Sequence, residues 1–406
     1  MDTSKYFDWA ATSPCDKEIL KDAFEKSLEF YANPSALHSE GQKAREVFEQ
    51  ARILCAKSLG VKPEEVFFTS GGTESDHIPL LSFLNREVDS QGFRGEIIIS
   101  AIEHPALKEE CELLKKQGFS VISVNPDKNG FISAQQIASK INSKTLYICV
   151  MAINNETGCI QPIYEIADKI SEVSKGKRRP HFHVDAVQAA GKIPLDLSYP
   201  GIDSAALSAH KIGGPRGIGV LVLKKNIKPF LTGGGQEKNI RSGTENLFGA
   251  IAFSKCLEKY YIQGEGQIAP KDKTYEEKIA LLKKQEENAI FFIDELSKIQ
   301  NCTIVPALRA DTSLEIQKRF SPYVIQASFK GIPGKVMLRA LDAKGYSIST
   351  GSACSAKKQN RPVLAAMNAS QEIQDTAVRF SFGHLTNRSD IEGLLNAIKE
   401  IYKDFF

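Results

Sequence analysis

At 406 residues, with 42% hydrophobic and 25% charged side chains, the chain has the composition of an ordinary globular protein long enough for two or three domains. Its 52 basic and 49 acidic residues leave a formal charge of +3, too little to point to nucleic acid, whose binding depends on clustered cations. The first residues lack the apolar run of a secretory signal, no apolar stretch is long enough to span a bilayer, and the eight cysteines follow neither disulfide nor zinc spacing, so a cytoplasmic protein with reduced thiols, no membrane partner and no metal is expected.

In chain order, an extended start from Tyr6 to Thr12 passes Ser13-Pro14 into a helix predicted over 16–31. Asn33 before Pro34 reads locally as a turn initiator, and a second helix over 39–59 stops at Gly60. A short buried strand over 66–69 runs into Ser70-Gly71-Gly72-Thr73-Glu74-Ser75-Asp76 and a helix to about residue 86. Strand, glycine turn and helix start form an anion cradle, because backbone N–H groups and the positive end of the helix dipole converge there. A glycine turn followed by an ordinary N-cap is the plainer alternative, and no Gly-Lys-Ser/Thr follows to make a Walker loop.

Strands over 96–100, 119–124, 145–151 and 181–185 then alternate with helices over 105–117, 134–141 and 163–173. Strands over 204–208 and 217–223 bracket Ser208-Ala209-His210-Lys211. This alternation predicts an α/β fold: a large domain over 15–262 with a mainly parallel seven-stranded sheet flanked by helices. After Thr232-Gly233-Gly234-Gly235 and Arg241-Ser242-Gly243-Thr244, a helix runs to about 261, and polar residues 263–274 mark a boundary. Helices over 275–298, 334–343 and 388–402 with strands over 302–305, 323–328 and 377–383 give a smaller α+β domain, taken as 1–14 and 263–406.

Ligands collect beyond the carboxyl ends of strands in such sheets, and Thr73, His104, Asn155, Asp185 and His210-Lys211 all fall there. Lys211 can form a Schiff base if its surroundings favour the neutral amine. Asp185 ends an apolar strand and needs a cationic partner or hydrogen bonds to stay charged; a protonated pyridine nitrogen or a local helix N-terminus would serve. His104 can cap the following helix, or stack on a flat cofactor and move protons. His181 and His183 share one strand face but lack further ligands at metal spacing. Cys354 lies in the small, polar Gly351-Ser352-Ala353-Cys354-Ser355-Ala356-Lys357-Lys358, where nearby cations favour a thiolate, although the stretch alone favours an incidental exposed cysteine.

Together these residues resemble the cysteine desulfurases of the nitrogen-fixation type, members of the class V aminotransferase family with pyridoxal-phosphate fold type I. The resemblance runs from Tyr6 to about Tyr402. It rests on Thr69-Ser70-Gly71-Gly72-Thr73-Glu74-Ser75, Glu103-His104-Pro105, Asn154-Asn155-Glu156-Thr157-Gly158, His183-Val184-Asp185-Ala186-Val187-Gln188, Ser208-Ala209-His210-Lys211, Arg241-Ser242-Gly243-Thr244, Gly351-Ser352-Ala353-Cys354 and Val378-Arg379-Phe380-Ser381. It implies that Lys211 anchors pyridoxal 5'-phosphate, that Asp185 pairs with the pyridine nitrogen and that His104 stacks on the ring. Asn155 and Gln188 would bond the ring substituents, and Gly72, Thr73, Ser208 and His210 the phosphate. Thr244 would reach the phosphate of a neighbouring subunit in a homodimer, while Arg379 and Asn33 would receive the carboxylate of L-cysteine. Cys354 would take the substrate sulfur as a persulfide and carry it to a sulfur-acceptor protein, for which an iron–sulfur scaffold is one candidate. A selenocysteine lyase or other class V cysteine lyase would share the cofactor residues, and a non-catalytic sulfur carrier would share only the fold. Two departures stand out: Gly71-Gly72 where Gly-Ala is more familiar, and Trp9 where a smaller or polar residue is expected. The segment after Cys354 is lysine-rich and short, and residues beyond the last helix are few, which leaves the acceptor open.

Overall fold

In chain order the computed structural model, which describes residues 2–264, 273–351 and 361–405, contains α1 (Lys17–Glu29), α2 (Ser39–Leu59), β1 (Val66–Thr69), α3 (Gly72–Leu81), β2 (Gly95–Ser100), α4 (Pro105–Lys116), β3 (Phe119–Val124), α5 (Ala134–Ala138), β4 (Thr145–Cys149), α6 (Ile163–Val173), β5 (His181–Asp185), β6 (Ser204–Ser208), β7 (Gly219–Leu223) and α7 (Leu247–Tyr260). Then follow α8 (Lys273–Ser297), β8 (Cys302–Val305), α9 (Leu314–Gln317), β9 (Val324–Phe329), α10 (Gly334–Ala343), α11 (Pro362–Ala366), α12 (Gln371–Thr376), β10 (Ala377–Ser381) and α13 (Arg388–Phe405).

Local signals set the element ends. The Asp16 carboxylate accepts from Ile19 N and starts α1, and Gly60, at φ +68°, closes α2 in the left-handed conformation that glycine adopts without penalty. The helix after the glycine turn is shorter than its sequence pattern predicts. It leaves α-geometry at Leu81 and finishes as a 3-10 turn over Ser82–Asn85, where the Ser82 hydroxyl donates back to Pro79 O.

The large sheet has seven strands in the order β1-β7-β6-β5-β4-β2-β3. β3, β2, β4, β5 and β6 pair in parallel, whereas β7 is antiparallel to both β6 and β1. Its central strands are buried on both faces, which is why they read as continuous apolar runs rather than alternating ones. A second, antiparallel sheet in the order β10-β9-β8 packs on Phe292, Met337 and Leu394 from α8, α10 and α13. Phe7 from the extended start lies in that second core, and bridges Tyr6–Ser347 and Asp8–Ser381 tie the start to it. No described helix is long and apolar enough to cross a membrane.

The register aligns the site. Thr69 of β1 and Ser208 of β6 both pair with Gly219 at the first residue of β7, so the end of β1, the end of β6 and the start of β7 meet at one point. A Cβ on Gly219 would lie 2.7 Å from Gly71 Cα and 2.7 Å from Leu207 O, so only glycine lets the Gly71 turn pass so close to the strand.

Candidate active site

A pocket of about 230 Å3 opens at this edge of the large sheet. Ten of the thirteen residues singled out from the sequence line it: Gly72, Thr73, His104, Asn155, Asp185, Gln188, Ser208, His210, Lys211 and Arg379. Asn33 is exposed and does not line it; its side chain accepts from Ser35 N in a local turn. Thr244 is exposed and does not line it either. Cys354 lies outside the described residues.

The cradle is built from β1 and α3. Gly71 has φ +154°, and a Cβ on Gly72 would stand 2.7 Å from Val187 Cγ2, so the chain there keeps a space that any larger residue would fill. The first turn of α3, with Gly72 and Thr73 on the pocket wall, faces Ser208 at the end of β6 and His210 behind it. Helix N-terminus, two hydroxyls and an imidazole suit a phosphate.

The floor comes from β5, where Asp185 is nearly buried and its Oδ1 accepts from Val187 N at 3.0 Å. Burial pushes its carboxyl above the usual carboxylate range, against the pull of His104 and Lys211. A cationic ring nitrogen would supply the missing charge. His104 is the N-cap of α4: its Nδ1 accepts from Ala106 N at 3.2 Å, which leaves the proton on Nε2. Burial lowers its basicity, and Lys211 adds to that while Asp185 opposes it, so it faces the pocket as a neutral ring. Burial with the Lys211 and Arg216 charges brings His210 down to about 4.

Lys211 follows β6 in a 3-10 turn, and its Nζ donates to Ala10 O and Ala11 O, both at 2.7 Å. Gln188 Nε2 donates to the same Ala10 carbonyl at 2.9 Å. Arg379, on β10 of the other sheet, is almost wholly buried; Nη1 donates to Asn155 O at 2.9 Å, Nη2 to Asp8 at 2.7 Å, and Nε has no partner among the described residues. The extended start thus runs through the site as a strap, touching Arg379 by Asp8 and both Gln188 and Lys211 by the carbonyls after it. Sequence reading missed this role, since backbone carbonyls leave no signal in residue type.

Behind the pocket, Asp76 stands 3.1 Å from His183 Nε2, and Ser204 Oγ lies 2.7 Å from both His183 Nδ1 and His181 Nε2. Asp76 lines the pocket, and its carboxyl is raised well above the ordinary range by burial and by Asp185 and Glu103. Glu103, held by Ser100 Oγ at 2.5 Å and Met151 N at 2.8 Å, is raised to about 7 by burial. Three buried carboxyls near one another do not readily all ionise, and of the three Asp185 is the one drawn toward its charged form by His104 and Lys211.

Trp9 is buried: its Nε1 donates to Tyr6 O at 2.9 Å and its ring meets His384 edge-on at 5.3 Å. It occupies the space beside Gly383, where a Cβ would fall 2.1 Å from the indole.

The Aminotransferase class-V family profile matches residues 5–394. Over 399 residues the chain is 33% identical to a protein of Dictyoglomus turgidum named cysteine desulfurase IscS, covering 98% of this chain and 94% of that one. A protein of the same name from Methanosarcina thermophila is 34% identical over 403 residues, covering 98% and 91%. Among solved structures, one titled NifS-like protein matches with a TM-score of 0.84 at 30% identity, over 98% of this chain and 99% of that one. One titled SspA in complex with cysteine matches with a TM-score of 0.74 at 29% identity, over 94% and 100%.

Proposed function

The chain belongs to the Aminotransferase class-V family, and from that premise we propose that the pocket at the edge of its large sheet removes the sulfur of L-cysteine and leaves L-alanine. The protein is a pyridoxal-phosphate-dependent cysteine desulfurase. The observation that carries the reading is the convergence of Lys211, Asp185, His104 and Arg379 on one pocket beside a glycine-built cradle.

In this reading Lys211 holds the cofactor, Asp185 the ring nitrogen, His104 the ring face, and Gly72, Thr73, Ser208 and His210 the phosphate. Asn155 and Gln188 bond the ring substituents. When bound, the cofactor supplies an electron sink at the substrate carbon. Every other step falls to the chain. Arg379, which lines the pocket with its guanidinium held by Asn155 O and Asp8, receives the substrate carboxylate, and its fixed planar fork sets the orientation. Lys211 Nζ, released, moves the proton at the substrate carbon, and His104, carrying its proton on Nε2, assists. The Cys354 thiolate attacks the substrate sulfur: a sulfur–sulfur bond forms as the carbon–sulfur bond breaks, the electron pair leaves with the carbon, which takes a proton to become the methyl of alanine, and the sulfur remains as a persulfide on Cys354 for an acceptor protein. Asn33 belongs to the substrate side of the same scheme.

A homodimer fits the same reading. Thr244 is exposed, and exposed Phe230 and Leu231 border a second pocket of about 240 Å3 that shares Thr73 and Glu74 with the cradle's outer side. A second subunit covering that face would bring its own Thr244 to the phosphate.

The test is to incubate the holoenzyme with L-cysteine, quantify alanine, and look for added sulfur on Cys354 by mass spectrometry. Alanine with a persulfide at Cys354, both lost in Cys354→Ala, is expected. Undiminished release of alanine and transferable sulfur by Cys354→Ala would overturn the assignment of Cys354.

A further inference from the structure

Lys192 is a buried amine that none of the roles above uses. It follows Gln188 by four residues, is 6% exposed, and donates from Nζ to Gln188 Oε1 at 2.5 Å. Among the described residues no carboxylate pairs with it. Burial, with the charges of Lys211 and Arg379, holds its amine well below the ordinary lysine range. A lysine buried without a counter-ion costs stability, so its place calls for a reason in the site.

The hydrogen bonds supply one. Ala10 O can only accept, so the end of the Gln188 carboxamide that faces it must be Nε2. With Nε2 turned to Ala10, Oε1 is left at the other end, where Lys192 Nζ donates to it. The carbonyl sets the orientation and Lys192 supplies the matching donor. Ala10 O also accepts from Lys211, which gives a continuous run from Lys192 Nζ through the Gln188 carboxamide and the Ala10 carbonyl to Lys211 Nζ. One Nε2 hydrogen is used on Ala10, and the second belongs to a side chain that lines the pocket.

We propose that Lys192 is a positioning residue for the reaction at Lys211: it locks the Gln188 carboxamide so that Nε2 is the group presented to the ring substituents of the cofactor. The proposal rests on the reading of the pocket given above. Lys192 itself touches neither substrate nor cofactor. Without it, Oε1 loses its donor, and only the Ala10 carbonyl still resists a turn that would bring an acceptor toward the ring.

The experiment follows the visible absorbance of the holoenzyme across pH and measures cofactor dissociation in Lys192→Met, Lys192→Gln, Gln188→Ala and the Lys192→Met/Gln188→Ala pair. Lys192→Met should move the titration midpoint by about half a unit or more and weaken cofactor binding roughly ten-fold, the worth of one directed hydrogen bond. Lys192→Gln, which can still donate, should recover part of both, and the double variant should match Gln188→Ala alone. A Lys192→Met midpoint equal to wild type, or the same shift added on top of Gln188→Ala, would overturn the proposal, even if melting of the apoenzyme drops. A visible band that survives Lys211→Ala would instead sink the assignment of Lys211, and the role of Lys192 with it.

Discussion

Arg379 Nη2 donates to Asp8 Oδ1 at 2.7 Å, an ion pair between residues 371 positions apart in the chain. It joins the extended start to β10 and leaves the guanidinium half-neutralised but fixed, with Nη1 on Asn155 O and Nε free of a partner among the described residues. Arg379→Lys keeps the charge but cannot hold Asp8, Asn155 and a carboxylate in one plane. We expect its KM for L-cysteine to rise about 10–100-fold with a smaller fall in kcat, as the loss of one or two charge-assisted hydrogen bonds requires. Steady-state kinetics with L-cysteine check this, and an unchanged KM counts against Arg379 as the carboxylate receptor.

Asp185→Asn separates function from stability. Burial disfavours the charge on Asp185, so the amide removes a cost in the apoenzyme. The apoenzyme should melt at the same temperature or higher, while the proposed pairing of Asp185 with the ring nitrogen predicts that turnover falls by roughly 100-fold or more. Calorimetry of the apoenzyme and alanine release by the holoenzyme make the comparison.

Trp9 and Gly383 form a fitted pair. A Cβ on residue 383 would stand 2.1 Å from the indole, so Gly383→Ala should destabilise the fold by about 1–3 kcal/mol through overpacking. Adding Trp9→Ala, which empties the contested space, should make the effect of Gly383→Ala close to zero or favourable in that background. Denaturant unfolding of the four proteins gives the coupling.

Glu103 predicts a pH dependence of stability. Its folded pKa is raised from 4.5 to about 7, chiefly by burial. The folded state therefore holds the proton more tightly than the unfolded chain. The resulting stabilisation is complete below about pH 4.5 and is lost as pH rises through about 7. Glu103→Gln lacks this dependence, so the stability of wild type relative to it should fall by on the order of 3 kcal/mol across that window. Parallel unfolding curves between pH 4.5 and 8 test it; a constant difference would mean that Glu103 titrates normally.

Much of the pocket lining was legible because its residues follow strand ends. Thr73, His104, Asp185 and Lys211 were found from short apolar runs and the residues after them, and a parallel sheet brings such ends to one edge. Two features escaped. The antiparallel direction of β7 does not show in its apolar pattern, since a strand buried on both faces reads the same either way. Its reversal nonetheless sets Gly219 against Gly71 and shapes the cradle. Trp9 was visible as an oddity, but its fit against Gly383 depends on contact between residues 374 positions apart, which nothing local encodes.

What the amino-acid sequence determined by itself was periodicity and chemistry: which runs become strands, where they end, and which amine, carboxylate, imidazole and guanidinium stand at those ends. Only the tertiary structure decided how these groups behave. It laid the strap from Asp8 to Ala11 against Arg379, Gln188 and Lys211, buried Lys192 behind Gln188, and buried Asp76 and Glu103 near Asp185, which raises the carboxyls of both. The reason is physical. Strand and helix patterns arise from neighbours a few residues apart, whereas burial, hydrogen-bond direction and the charge of a buried group are set by whatever the fold brings within a few ångströms, regardless of distance along the chain.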